Sequence, residues 1–201
     1  MKILLVGGHG TIGKKVAAAL KGRRHELIIA GRNSGDIRVD IGSEASIADM
    51  LRQVGKMDAC ICTAGTGFYG PFATMTGEDM RPGLEGKLMG QINLVLRGKE
   101  YLSEGGSFTL TSGIASEMPA RNGSCVAMIN GAINSWVLGA AQELKQDKRI
   151  NAVSPGLVED SYERYGAFFP GYDLVPMGKV VNAYILSVEG AITGKILKVW
   201  G

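Results

Sequence analysis

Glycines 7, 8, 10 and 13 fall between a short apolar run, Ile3–Val6, and a stretch of helical character, Thr11–Leu20. The junction reads Gly7-Gly8-His9-Gly10-Thr11-Ile12-Gly13. Residues without side chains permit a tight strand-to-helix turn, bring the main chain close to a diphosphate and let the helix pack on the strand. The free N–H groups and the positive end of the helix then face the phosphates. The turn is therefore expected to bind a dinucleotide, with His9 lining the loop rather than reacting. No Lys-Ser or Lys-Thr closes the loop, which argues against a Walker-type triphosphate site.

The next candidate chemistry lies at the end of the second strand, Ile28-Ile29-Ala30-Gly31-Arg32-Asn33-Ser34. A carboxylate here would accept the ribose 2′-OH of NAD. None is present: Glu26 comes too early and Asp36 lies past the turn. Arg32 instead offers a guanidinium that can pair with a 2′-phosphate and lie over adenine, with Asn33 and Ser34 adding hydrogen bonds. NADP(H) is the expected cofactor, with NAD(H) as the second choice.

Other chemistries find little support. The three cysteines are Cys60, Cys62 and Cys125. They are too few and too odd in number for a disulfide framework, and a reducing cytoplasm is the expected setting. Cys60 and Cys62 flank Ile61 on an apolar strand, which reads as core packing and not as a metal site. The net charge of +3 is spread along the chain without a basic run, so neither nucleic acid nor a membrane surface is an expected partner. Ile3–Val6 is too short for a signal peptide, and no apolar stretch is expected to reach the roughly 20 residues that span a bilayer.

These residues need a scaffold, and the rest of the pattern supplies one. Strands are expected at Ile3–Val6, Glu26–Ala30, Arg38–Ile41, Asp58–Thr63, Ser107–Thr111, Ile150–Ser154 and Lys195–Val199. Helices are expected at Thr11–Leu20, from a Ser43 cap to Val54, at Leu84–Leu102, Ser124–Lys145 and Lys179–Ser187. The strands are continuous apolar runs, as a parallel sheet buried on both faces requires. Repeated βα units with right-handed crossovers give an α/β, three-layer Rossmann fold: a doubly wound parallel sheet of about seven strands in the order 3-2-1-4-5-6-7. With 201 residues and no break in composition, residues 1–201 read as a single domain. Glu159–Pro176 is the one long irregular stretch.

Taken together, the chain resembles the short-chain dehydrogenase/reductase family over nearly its whole length. The resemblance rests on the glycine turn and on Asp40-Ile41, similar to the acidic residue that touches adenine. It rests further on Thr63-Ala64-Gly65 in place of an Asn-Ala-Gly turn, on Asn151-Ala152-Val153-Ser154-Pro155-Gly156, whose Pro155 and Gly156 lie beside the nicotinamide, and on Ile192-Thr193-Gly194. It implies an NADP(H)-dependent oxidoreductase acting on a carbonyl or hydroxyl group of a small molecule. It also implies a homodimer or homotetramer, formed through long helices such as Ser124–Ala141, with its small residues and Trp136.

The family's catalytic set is a serine followed by Tyr-x-x-x-Lys on the next long helix. Ser112 matches the serine. The family's spacing then reaches Cys125 where tyrosine is expected and Ile129 where lysine is expected, and a helix asparagine falls on Lys87. No tyrosine occurs in residues 113–145. The tyrosine passes a proton to the substrate oxygen and the lysine lowers its pKa; Ile129 cannot supply that cation. The open candidates for the proton donor are Tyr162, Tyr165, Cys125, Lys87 or water. The aromatic segment 161–170 reads as a cover for a small or planar ligand, or as packing. The alternative function is a noncatalytic NADP(H)-binding sensor or partner subunit; a lyase, isomerase or epimerase ranks third.

Overall fold

The computed structural model describes residues 1–201. Along the chain run β1 (Lys2–Val6), α1 (Thr11–Gly22), β2 (Glu26–Gly31), β3 (Ile37–Arg38), α2 (Glu44–Val54), β4 (Met57–Cys62), α3 (Gly77–Gly83), α4 (Gly90–Gly98) and β5 (Leu102–Thr111). Then come α5 (Ser124–Glu143), β6 (Arg149–Pro155), β7 (Leu157–Val158), α6 (Tyr162–Tyr165), β8 (Leu174–Val175), α7 (Met177–Glu189) and β9 (Lys195–Val199). Seven strands form one parallel sheet in the order β3-β2-β1-β4-β5-β6-β9. This is the expected doubly wound order, the last strand being β9 because β7 and β8 pair only with each other.

The continuous apolar strands are explained by the two cores they serve. On β1, Ile3 and Leu5 pack with Val16 and Leu20 of α1 and Val180 and Tyr184 of α7. Leu4 and Val6 point the other way, into a core shared with Met50 of α2, Leu94 of α4 and Ile133 of α5. Alternate residues of β1 thus bury on opposite faces, and each of Ile3–Val6 is apolar. Truncating one of these side chains to alanine typically costs about 2–5 kcal/mol.

Several boundaries differ from expectation for identifiable reasons. β3 stops at Arg38 and does not run to Ile41, because Asp40 turns the chain by accepting a hydrogen bond from Gly42 N (3.0 Å). β5 begins at Leu102, which was expected to end a helix; that helix stops at Gly98, which abuts the Phe108 ring. The same helical stretch starts earlier than Leu84. Thr76 and Asp79 form a capping box for α3, and α3 continues into α4 through a π-helical segment, Leu84–Met89. Glu159–Pro176 is not irregular: it holds α6 between 3₁₀ turns, and the β7–β8 pairing ties its two ends. Finally, α5 is long and apolar enough, by length and composition alone, to cross a membrane, although Asn130, Asn134 and Ser135 interrupt its apolar run. It lies along the sheet with Ile129, Ile133 and Val137 in the core.

Candidate functional site

The glycine turn is built against the segment that follows β4. Gly7 has φ +84° and a Cβ there would lie 2.8 Å from Ala64 N; a Cβ on Gly13 would lie 2.2 Å from Gly7 O. Both positions require glycine. Thr63 locks the contact, its Oγ1 donating toward Val6 O (3.2 Å) and Gly7 O (3.1 Å). Gly8 packs on Ile29, while Gly10 N donates to Gly7 O (2.9 Å). Gly10 provides no side-chain cap and the first turn of α1 holds no acid. The amides of Thr11, Ile12 and Gly13 therefore point outward without helical acceptors. His9 is tied across the mouth of the loop, its Nδ1 2.8 Å from Ser34 Oγ.

Two cavities open along the C-terminal ends of the strands. One, of about 390 Å³, is lined by Gly7, Arg32, Asn33, Ile41 and Ala64. The other, of about 180 Å³, is lined by Ile12, Ser112, Lys87, Asn130, Pro155 and Gly156, with Tyr69, Tyr165 and Phe169 adding aromatic wall. They share Gly65 and Thr66. Their junction lies where the strand order reverses between β1 and β4, the usual ligand position in such sheets. The residues present thus fit an extended dinucleotide, with a phosphate cradle in glycines that no side chain could share. Arg32 is exposed and meets only Asp40 Oδ1, at 3.3 Å. Asp40 itself, held by Gly42 N, lies beside the first cavity without lining it.

Ser112 follows the end of β5, where four buried hydrogen bonds hold Thr111. Gln91 of α4 bonds both main-chain groups of Thr111, accepting from its N (2.7 Å) and donating to its O (3.0 Å). The Thr111 hydroxyl also meets Tyr184 Oη (2.7 Å) and Cys62 O (2.5 Å). Ser112 N donates to Val153 O at 2.9 Å. The Ser112 hydroxyl, buried at the cavity wall, has no hydrogen-bond partner. A buried polar atom left unpaired costs about 1–3 kcal/mol, and of the three such atoms, Ser107 Oγ, Ser112 Oγ and Asn134 Oδ1, only that of Ser112 belongs to a residue lining this cavity.

Lys87 lies beside it, only 8% exposed. Its Nζ donates to Asn130 Oδ1 (2.8 Å) and toward Ser112 O (3.4 Å), and no carboxylate pairs with it. Burial pulls its pKa down to about 8, against a weaker opposing pull from Cys62. Room for it comes from Gly65, with φ +107°, where a Cβ would lie 2.8 Å from Lys87 Cβ.

The remaining sequence candidates are dispersed. Cys125 and Ile129 lie in the hydrophobic core of α5 and contribute nothing to the cavity wall; the neighbouring Val126 and Asn130 do. Tyr162 is 55% exposed and its ring lies over Gly166, outside the cavity. Tyr165, one turn on, lines the cavity. The structure adds Asn130, Gln91, Thr66 and Tyr69, none of which the sequence singled out. Gln91 is one helical turn from Lys87, a spacing that would have marked one face of the helix. Tyr69 packs on Phe168 (4.7 Å between ring centres), and burial pushes its hydroxyl up to about 12. Burial likewise holds Cys62 up at about 12 and Cys60 higher still, so both thiols stay protonated.

Fold and cradle together define a dinucleotide-binding α/β protein of Rossmann type. A family model described as enoyl-(acyl carrier protein) reductase matches residues 9–171. A short-chain dehydrogenase/reductase from Acremonium sp. is 27% identical, over 80% of this chain and 73% of its own length. The crystal structure of the Listeria innocua protein lin1944 is 44% identical and superposes with a TM-score of 0.97 over 100% of both chains. A small-chain dehydrogenase in complex with NADPH is 28% identical, with a TM-score of 0.87 over 99% of this chain and 96% of its own. The chain belongs to the short-chain dehydrogenase/reductase family, and by family it is an oxidoreductase whose cofactor class is NAD(P).

Proposed function

We propose that the protein is an NADP(H)-dependent oxidoreductase of atypical short-chain type, acting on a small carbonyl or hydroxyl compound. The observation that carries this is the unpaired Ser112 hydroxyl, in a cavity continuous with the glycine cradle through Gly65 and Thr66. Gly7, Gly8, Gly10 and the first turn of α1, from Thr11 to Gly13, hold the diphosphate. Ile41, Thr63, Ala64 and Gly65 wall the cradle, while Pro155 and Gly156 border the second cavity. Arg32, with Asn33, takes the 2′-phosphate; its single long contact to Asp40 leaves the guanidinium free to do so. The NADPH complex of the 28% identical relative supports the same choice.

A bound reduced nicotinamide supplies hydride to a carbonyl carbon. The chain's own residues do the rest. Ser112 Oγ donates to the carbonyl oxygen, which gains charge as the carbon is reduced. Tyr69, Tyr165 and Phe169 line the cavity and reduce the space left for water around the carbonyl. The test is to mix protein and NADPH with a panel of aldehydes and ketones and follow loss of NADPH absorbance, with Ser112→Ala as control. Turnover that falls at least about 100-fold in S112A supports the reading.

The second reading is a noncatalytic NADP(H)-binding protein. The burial of Cys125 and Ile129 in the core favours it, because the family's acid–base pair then has no counterpart on α5. NADPH binding without turnover of any carbonyl would select it. A homodimer or homotetramer goes with either reading. Leu96 of α4 and Leu138 of α5 are exposed apolar side chains beside a groove lined by Trp136 and Gly139. Light scattering giving the mass of one chain would refute assembly.

A further inference from the structure

The cavity wall holds three titratable side chains: Lys87, Tyr69 and Tyr165. Of these, only Lys87 bonds the residue whose hydroxyl lacks a partner, its Nζ reaching Ser112 O at 3.4 Å. Lys87 lies within the π-helical segment Leu84–Met89, an irregularity that often marks functional sites. It is a buried cation with no counter-charge. Its neighbours are the neutral amide of Asn130 from α5 and the protonated thiol of Cys62 of β4, and the phenols of Tyr69 and Tyr165 line the same cavity; no Asp or Glu lines it. A structural lysine would be expected to pair with a carboxylate or reach solvent. Lys87 does neither, and Asn130 holds it facing the cavity.

We infer that Lys87 is the acid–base group of this cavity, its ammonium passing a proton to the ligand oxygen that the Ser112 hydroxyl receives. The inference rests on the carbonyl-reducing function proposed above and names its proton donor. As the carbonyl carbon takes up hydride from the reduced nicotinamide, two electrons move to the substrate and the oxygen becomes an alkoxide. The Nζ–H bond breaks, the O–H bond forms, and the product leaves as an alcohol. Lys87 remains as a neutral amine held by Asn130 and regains its proton from water. In the reverse direction the neutral amine takes the hydroxyl proton. Two further features agree with this role. Burial places the ammonium near 8, where it can donate and recover a proton close to neutrality. Tyr69, held up to about 12, is a poorer donor.

The test has two arms. In the first, protein labelled with ¹³C at lysine Cε is titrated by NMR without cofactor, Lys87 being assigned from the signal lost in Lys87→Met. A midpoint near 8 is expected. A midpoint at the ordinary lysine value of about 10.4 overturns the inference, as does a signal that does not titrate. In the second arm, the reduction of a carbonyl found active is followed against pH. For wild type, kcat/KM is expected to fall as pH rises through the same midpoint. K87M should lower kcat at least about 100-fold and lose that limb, with its NADPH Kd within about threefold of wild type. K87R, which cannot release the proton, should bind NADPH and resemble K87M in rate. K87M that keeps its rate and the alkaline limb overturns the inference. If wild type reduces nothing yet Lys87 titrates near 8, the proposed function fails and Lys87 stands as a proton-exchanging group of a binding site.

Discussion

Lys87 Nζ donates a 2.8 Å hydrogen bond to Asn130 Oδ1, so a residue of the π-helical segment and a residue of α5 meet at the end of β5 beside Ser112. The contact joins two helices that the sequence separates by a strand and a loop. It also places a neutral amide, and no carboxylate, against the buried ammonium. Replacing that amide by a carboxylate, Asn130→Asp, is expected to favour the charged lysine and raise the Lys87 midpoint above 8. The NMR titration described above reads this directly; an unchanged midpoint would mean that the two groups do not interact in solution.

Lys87 also ties stability to pH. Its folded value of about 8 lies below the ordinary 10.5, so between those values the unfolded chain binds more protons than the folded one. Below 8 both states carry the charge and its burial penalty is full. As pH rises from 8 to 10.5 the folded state gains stability by roughly 1–3 kcal/mol. Urea melts of wild type against K87M are expected to show wild type gaining on the variant over that window. Parallel curves would exclude the burial effect.

The glycine cradle should tolerate no side chain at its tightest point. A Cβ on Gly13 would lie 2.2 Å from Gly7 O, a main-chain atom that cannot swing aside. Gly13→Ala is expected to destabilise the fold by about 2–4 kcal/mol and weaken NADPH at least about tenfold. Gly22, which meets nothing within 4 Å, is the matched control. Thermal melts and cofactor fluorescence titrations measure both effects, and equal behaviour of the two variants would contradict the cradle.

Arg32 should separate the two cofactors. Arg32→Ala is expected to raise the Kd for NADPH about 10- to 100-fold, equivalent to roughly 1.4–2.8 kcal/mol, and to leave NADH nearly unchanged. Equal losses for NADPH and NADH in R32A would show that the guanidinium does not read the 2′-phosphate.

The expected sheet order was legible because central strands such as β1 are continuous apolar runs that bury on both faces. The glycine turn was legible for a related reason: the approach of Gly13 to Gly7 O excludes every other residue type. Helix ends were read less well. The Thr76–Asp79 box opens α3 upstream of the expected start at Leu84, and the phenyl ring that packs on Gly98 at the end of α4 comes from Phe108, in the following strand. At the second cavity, spacing along α5 pointed to Cys125 and Ile129. Helix rotation put both in the core and turned Val126 and Asn130 toward the cavity instead.

What the sequence determined by itself was a parallel sheet carrying a glycine turn after its first strand, since burial pattern and steric exclusion are written in residue type and local spacing. Only the tertiary structure decided which polar groups share the second cavity. Lys87, Ser112 and Asn130 come from three different elements, and the aim of each side chain depends on how those elements rotate and pack. No one-dimensional spacing encodes that rotation, because it is set by the fit of side chains between layers.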